Sequence, residues 1–312
     1  MIIKKRLTVL LLICFYLTVF QHANGGSKQI QNSGIAHSIF IAGPDFTGII
    51  DEDGKVVWNS GKNGGRDGYV LPNGNVLICW SDEVLEYDEK KQVIFSFKRS
   101  HKENELGTAV RLENGNTLIT ESGVNPRLME IAPSGKIALE IALKPETDNI
   151  HMQSRMARKL KNGNYLVPHL LAFSVKEYSP SGEVVNIFKT DLAELGGKDA
   201  ENWPFTAIRL ENENTLINLT HGNKTIEVNS GGEVVWNVSN EDFEENPFQD
   251  PCGAQRLPNG NTVIASYGAK EGIKLFEITR DKKLVWSYNG YRVHDFQILT
   301  TNGVPLEGRP LK

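Results

Sequence analysis

Leu71-Pro-Asn-Gly-Asn75 returns along the chain as Leu112-Glu-Asn-Gly-Asn116, Leu160-Lys-Asn-Gly-Asn164, Leu210-Glu-Asn-Glu-Asn214 and Leu257-Pro-Asn-Gly-Asn261, with a weaker copy at Thr300-Thr-Asn-Gly303. Successive full copies lie 41 to 50 residues apart. Each is flanked by short β-prone segments such as Thr117-Leu-Ile-Thr120 and Thr262-Val-Ile-Ala265. Asn-Gly between two such segments predicts a tight hairpin in which both central residues take positive φ. A second hairpin follows in each repeat, as in Glu130-Ile-Ala-Pro-Ser-Gly135-Lys-Ile-Ala, Glu177-Tyr-Ser-Pro-Ser-Gly182-Glu-Val-Val and Glu227-Val-Asn-Ser-Gly-Gly232-Glu-Val-Val-Trp236, and more loosely Asp281-Lys-Lys-Leu-Val-Trp286. Each repeat therefore predicts four short strands, and four-stranded repeats of this period are the blades of a β-propeller.

The chain ends complete the count. Ser38 to Ser60 supplies only the last three strands of a repeat, and His294 to Leu299 only a first strand. Together they predict one composite blade, hence an all-β, six-bladed propeller closed by N-terminal strands plus a C-terminal strand. Such closure removes exposed sheet edges. A helical period shows only briefly, at Asp191 to Leu195.

Residues 1–25 read as a signal peptide: Lys4, Lys5 and Arg6, an apolar run from Leu7 to Phe20, then small residues at Ala23-Asn24-Gly25. That run is short for a membrane span, and Cys14 lies inside it rather than after it, so lipidation is not expected. Export to the periplasm or beyond is the expectation, with a flexible stretch at 26–37 and one propeller domain over 38–312. No later segment is apolar enough for a membrane helix. The mature part keeps Cys79 and Cys252, without a CxxC motif, and a single bridge between them is left open. Asn218-Leu-Thr220, Asn223-Lys-Thr225 and Asn237-Val-Ser239 are glycosylation sequons. The formal net charge of −4 becomes −7 without the first 25 residues. That argues against a non-specific nucleic-acid binder but leaves room for a local basic pocket.

In this blade plan both tight turns fall on one face of the disc. The inter-blade loops and the loops between second and third strands fall on the other. The inter-blade loops Arg99–Leu106, Lys144–Arg155, Thr190–Phe205 and Asn240–Cys252 are long and chemically rich, and function tends to sit on loops held by a rigid scaffold. His101, His151, His169, His221 and His294 all map to that face or its margin. His151, His169 and His221 come from successive blades and, with Tyr267, are the candidate catalytic residues. Arg66, Arg127, Arg155, Trp203, Tyr291, Arg292 and His294 are the candidate substrate-binding residues. Arginine suits a carboxylate or sulfate, although the same arginines suit inter-blade salt bridges. Trp203 and Phe248 are candidates to plug the central channel. Trp58, Trp236 and Trp286 recur on the outer strand and are expected in the core. The recurring Glu86, Glu130, Glu177, Glu227 and Glu277, and the recurring Arg111, Arg209 and Arg256, are expected to be structural.

The strand order resembles that of NHL-type six-bladed propellers. The Leu-Pro-Asn-Gly-Asn phrase and the His294-Asp295 pair are similar to bacterial arylsulfotransferases, which implies a channel histidine as nucleophile. The chain also resembles secreted propellers of bacterial polysaccharide-degradation clusters, such as ulvan-oligosaccharide dehydratases. Histidine, arginine and tyrosine at one channel mouth suit β-elimination: a neutral histidine takes a proton, arginine stabilises the enolate, and tyrosine or a second histidine protonates the leaving oxygen. The expected function is thus a lyase or dehydratase acting on uronate-containing oligosaccharides. An arylsulfotransferase-like enzyme, a non-catalytic glycan- or protein-binding propeller and, last, a quinone or metal enzyme are the alternatives. The expected partner is an anionic oligosaccharide, with no nucleic acid, no membrane after signal removal, no metal and no cofactor, and the protein is expected to be a monomer.

Overall fold

The computed structural model describes residues 29–30 and 34–312, so the expected signal peptide lies outside the described residues. Six antiparallel sheets form the blades. Blade I comprises Asp67–Val70, Val76–Cys79, Glu83–Tyr87 and Val93–Lys98; blade II runs from Glu105–Arg111 to Ile137–Ala142; blade III from Arg158–Lys159 to Val184–Lys189. Blade IV runs from Pro204–Arg209 to Val234–Ser239, and blade V from Pro251–Arg256 to Leu284–Tyr288. Blade VI is the composite one: Asp295–Thr301 pairs with His37–Ala42, which continues through Thr47–Ile50 to Val56–Asn59. Within the described residues Gln29–Ile30 pairs with the outer strand of blade V, and His37 is fully buried.

The repeated phrase is explained residue by residue. The Gly74 amide donates to the Leu71 carbonyl (2.9 Å), and the Leu71 amide to the Asn75 carbonyl (2.8 Å). In the full copies only the fourth residue takes positive φ, 85° at Gly74 and 65° at Glu213, whereas the weak sixth copy has it twice, at Asn302 (51°) and Gly303 (80°). In those full copies the loop is therefore a β-turn followed by one left-handed residue, and the two-residue turn expected from Asn-Gly, which needs positive φ twice, occurs at Asn302-Gly303. The first Asn closes the turn, its Oδ1 accepting the amide two residues on, at 3.1 Å for Asn73 and Asn75. The last Asn donates to the third-strand glutamate: Asn75 to Glu86 at 2.8 Å, Asn116 to Glu130 at 2.9 Å, Asn164 to Glu177 at 2.7 Å and Asn261 to Glu277 at 2.6 Å.

Those glutamates, and Glu227 of blade IV, then reach the next blade. Glu86 bonds Arg111, Glu130 bonds Lys159 (2.5 Å), Glu177 bonds Arg209 (3.2 Å) and Glu227 bonds Arg256 (2.5 Å). At the closing seam the partner is His37, whose Nε2 lies 2.8 Å from Glu277. The recurring acids and arginines form a belt that ties blade to blade on the turn face. At every one of these glutamates the pairing with the fourth strand shifts register, a bulge that turns the carboxylate towards its neighbour.

Hydrophobic clusters lie between adjacent sheets, as where Leu118 and Leu128 of blade II meet Tyr165 and Val167 of blade III. Trp286 is fully buried, whereas Trp58 and Trp236 are half-buried beneath Lys91 and Arg280. Phe248 packs within a blade core on Phe276 at 4.9 Å, away from the channel. Asn218 is buried and donates to the carbonyls of Cys252 and Gly253, so the first sequon is occupied by core hydrogen bonds. Cys79 and Cys252 are separate, buried free thiols.

Candidate functional site

The inter-blade segments and the loops between second and third strands converge on a cavity of about 510 Å³. The inter-blade segments contribute Gly64 to Arg66, His151, Met152, Arg155, Trp203, Phe205, Asp250, Cys252 and His294. The other loops contribute Pro44, Ser81, Leu170, Thr220, His221 and Tyr267. All surround the entry to the innermost strands. Close chain passage fixes two wall residues. A Cβ on Gly65 would meet Thr47 Oγ1 at 2.8 Å, and one on Gly253 would meet Asp295 Oδ1 at 2.7 Å. Both glycines let neighbouring blades approach, which sets Arg66 and His294.

His294 is the most constrained group. Its amide donates to Ala42 O and its carbonyl accepts from Gly253, both at 2.9 Å. Its Nδ1 lies 2.7 Å from the Arg66 carbonyl, an acceptor only, so Nδ1 carries the proton. Nε2 is left with its lone pair and has no hydrogen-bond partner among the described residues. Phe205 and Tyr267 flank the ring edge-on at 5.0 and 5.1 Å. Burial, then the Arg66 and Arg155 guanidiniums, push this imidazole down to about 3, so it is neutral at ordinary pH.

The cationic wall centres on Glu105. This carboxylate accepts from Arg66 (2.7 Å) and His151 Nδ1 (3.0 Å), with Arg155 3.8 Å away. The hydrogen bond from His151 holds it well below the usual carboxylate range, against the opposing effect of burial and with help from Arg66. Arg155 is buried and gives one donor of each terminal nitrogen to a carbonyl, Nη1 to Ser154 and Nη2 to His151. Burial and the neighbouring Arg66 lower it to about 10, which still leaves it a cation at neutral pH. Two guanidiniums thus share one carboxylate, and the wall carries excess positive charge.

Across the cavity His221 lies between Glu201 (3.1 Å from Nε2) and Asp250 (3.3 Å from Nδ1) and stacks on Trp203 at 4.7 Å. Glu201 and Asp250 both have left-handed backbones, φ 48° and 49°. Such conformations cost on the order of 1 kcal/mol each outside glycine and persist only where the surroundings impose them. Among the described residues no group of three or more His, Cys, Asp or Glu side chains is arranged to hold a metal ion.

Of the expected site residues, His151, His221, Tyr267, Arg66, Arg155, Trp203 and His294 line this cavity. The other four do not. His169 is fully buried, its Nε2 3.0 Å from the Tyr178 hydroxyl. Arg127 bridges Glu121 (2.7 Å) and Glu140 (2.9 Å). Tyr291 stacks on Phe46 at 4.4 Å. Arg292 lies over the Tyr267 ring, 5.0 Å from its centre. Glu105 and Asp250 were missed, although both fall within the inter-blade stretches Arg99–Leu106 and Asn240–Cys252 that the sequence marks as rich in chemistry. Phe205 and Cys252 were missed too; each follows a proline, at Trp203-Pro-Phe205 and Asp250-Pro-Cys252.

The model of the Mal s 1 allergenic protein-like family matches residues 44–243, and the chain belongs to that family. Among solved structures, a Bacteroides caccae protein of unknown function is similar at a TM-score of 0.73 and 20% identity, covering 88% of this chain and 100% of that one. A streptogramin B lyase is similar at a TM-score of 0.58 and 12% identity, covering 85% and 86%. A catalytically inactive histidine-to-alanine variant of virginiamycin B lyase from Staphylococcus aureus, with quinupristin, is similar at 0.58 and 14%, covering 85% and 87%. At these identities the likeness is one of fold. No curated protein matches the chain in sequence.

Proposed function

We propose that this Mal s 1-like propeller is a lyase whose mouth cavity performs β-elimination on uronate-containing oligosaccharides. The observation that carries the reading is the fixed tautomer of His294, whose Nδ1–H is committed to the Arg66 carbonyl and whose Nε2 is an available base. A substrate carboxylate docks on Arg66 and Arg155, where two guanidiniums share one counter-ion. Nε2 takes the proton on the carbon beside that carboxylate, and the released electron pair is held as an enolate by the same guanidiniums. Collapse of the enolate forms the carbon–carbon double bond and breaks the bond to the β-oxygen. That oxygen takes its proton from the Tyr267 hydroxyl, whose ring stands beside His294. Proton exchange with solvent restores both groups.

An imidazole near 3 is a weak base in the empty cavity. Burial is the main cause and the arginine field the lesser one; a bound carboxylate neutralises that field, so docking of the substrate removes the arginine part of the depression and raises the basicity of His294 to that extent. The lyases of similar fold support the reading, one of them being inactive when a histidine is replaced by alanine. We infer export as well, from the basic and apolar pattern of residues 1–25.

The test is incubation with a panel of uronate oligosaccharides, following ultraviolet absorbance for a conjugated double bond and product masses. The expected result is elimination, with His294→Ala slower by at least roughly a hundredfold. No new double bond across the panel, or a His294→Ala variant of undiminished rate, overturns it. The same Nε2 also suits nucleophilic attack. A sulfated His294 without unsaturated product would establish sulfotransfer instead, and an unchanged bound ligand would establish a binding propeller.

A further inference from the structure

Below the cavity the propeller axis is filled by the chain's own tail. The Leu311 carbonyl accepts from Arg256 at the turn-face end of blade V (2.9 Å), and the Leu311 side chain packs against Ile208 and Leu210 of blade IV. Lys312 then reaches up the channel. Its ammonium lies 2.5 Å from Asp295 Oδ2, 2.7 Å from the Gly68 carbonyl and 3.7 Å from Asp67 Oδ1, and 4.0 Å from the centre of the Tyr69 ring. Its own carbonyl accepts from Arg158 Nε at 2.6 Å. Those partners belong to the first strands of blades I, III and VI, which meet only on the axis.

The surroundings are built for a compact cation. An ammonium offers three donors and no acceptor, and here it faces a carboxylate, a carbonyl, a second carboxylate and an aromatic face, the last a further attraction for a cation. The side chains of Lys312, Asp67 and Asp295 are all 0% exposed. Asp67 already receives Arg158 through both oxygens, at 3.2 and 3.0 Å, so that guanidinium answers one of the two negative charges and Lys312 the other. Asp295 Oδ1 is buried and receives no hydrogen bond, so the site has unused acceptor capacity even with Lys312 in place. A buried charge without a partner is costly, and removing one member of such a set leaves the rest uncompensated.

We propose that the propeller axis is a primary-ammonium site, made by Asp67, Asp295 and the Gly68 carbonyl, that the chain fills with its own Lys312. The site closes the floor of the mouth cavity, so that a ligand enters and leaves by the loop face alone. Its ligand class is a small primary ammonium, and the inference stands apart from any reading of the chemistry above it.

Lys312→Ala leaves two buried carboxylates facing one guanidinium. The variant should melt about 10 °C below the parent at pH 7. Ethylammonium chloride should restore most of that loss by occupying the vacated position. Tetramethylammonium chloride at the same concentration, with equal charge but no N–H donors, should not. Equal recovery by both salts, or no loss of Tm, overturns the proposal. A second measurement needs no variant. In the native chain, acylation followed by residue-resolved mass spectrometry should find Lys312 at least roughly tenfold slower than Lys102, whose side chain is 88% exposed. Equal rates would show that the ammonium does not reside on the axis and would overturn the proposal whether or not the variant folds.

Discussion

Replacing Glu130 by Gln tests whether the belt between blades is held by charge. Glu130 Oε1 accepts from Lys159 of blade III at 2.5 Å and from the Tyr165 hydroxyl at 2.6 Å, while Oε2 accepts from Asn116 at 2.9 Å. Burial pushes this carboxyl up, but the Lys159 ammonium, the Tyr165 hydroxyl and the Asn116 amide outweigh it and bring it from 4.5 to about 2. At roughly 1.4 kcal/mol per pH unit, that fall corresponds to about 3 kcal/mol of folding stability. Because the folded value is the depressed one, the contribution is complete above pH 4.5 and is lost as pH falls through 4.5 towards 2. About 2 kcal/mol of it has gone by pH 3. Glutamine keeps an acceptor for Lys159 but turns an NH₂ towards Asn116, and it has no charge to lose. At pH 7 the variant should therefore be about 3 kcal/mol less stable, or roughly 6–12 °C lower in Tm. At pH 3 the gap should shrink to about 1 kcal/mol. Denaturant titrations of both proteins at the two pH values measure it. A gap that stays constant with pH would refute the reasoning, because the loss would then come from packing and not from the carboxylate's ionisation.

Gly163 has φ 91° with open space around its Cα, so Gly163→Ala should cost about 1 kcal/mol through backbone strain alone. The equivalent residue of the fourth repeat, Glu213, is strained at φ 65°, and Glu213→Gly should gain up to about 1 kcal/mol; thermal melts of the pair should move in opposite directions. Burial pushes the thiols of both Cys79 and Cys252 up, so iodoacetamide at pH 8 should label neither in the native protein and both in denaturant; native labelling of Cys252, which lines the cavity, would show that the wall opens. His294 should titrate near pH 3 in the empty protein, and a saturating inert carboxylate should move that titration upwards in an NMR pH series; an unmoved titration would place the anion away from the arginines.

The fold was legible because its signals are local and repeated. A tight turn favours particular residues whatever surrounds it, so Asn-Gly-Asn marked four blades and its variants Asn212-Glu-Asn214 and Asn302-Gly303 the other two, and the two incomplete repeats at the ends implied the shared blade. The site was legible only by face, because loop lengths differ between repeats and nothing periodic says where a loop side chain points. His169 shows where the repeat had more to give. With the phrases superposed, His169 aligns with Leu219, and both end the second strand inside the blade core; His221 falls two residues later, in the loop that opens on the cavity. Repeat phase alone separates these two histidines. The axial position of Lys312 had no such signal, since the tail follows the last strand without a pattern and its partners come from three different blades.

The division of the disc into a repeated face and an unrepeated one bears on how such a site is built. Asn75, Glu86 and Arg111 have counterparts at most steps round the turn face, with Lys159 and His37 replacing the arginine at two of them, and they carry ties between blades. The residues just before the innermost strands obey no such rule: Arg66 enters blade I, Trp203 enters blade IV, Asp250 enters blade V and His294 enters blade VI. A substitution there leaves the belt untouched, so the wall can vary at little cost to the ring. Holding the wall rigid is then the task of contacts near the axis. Arg66 and His294 are each followed by an aspartate, Asp67 and Asp295, and both carboxylates face the Lys312 ammonium. The cationic wall and the base are thereby anchored to one buried charge network beneath the cavity, while their functional atoms face its interior.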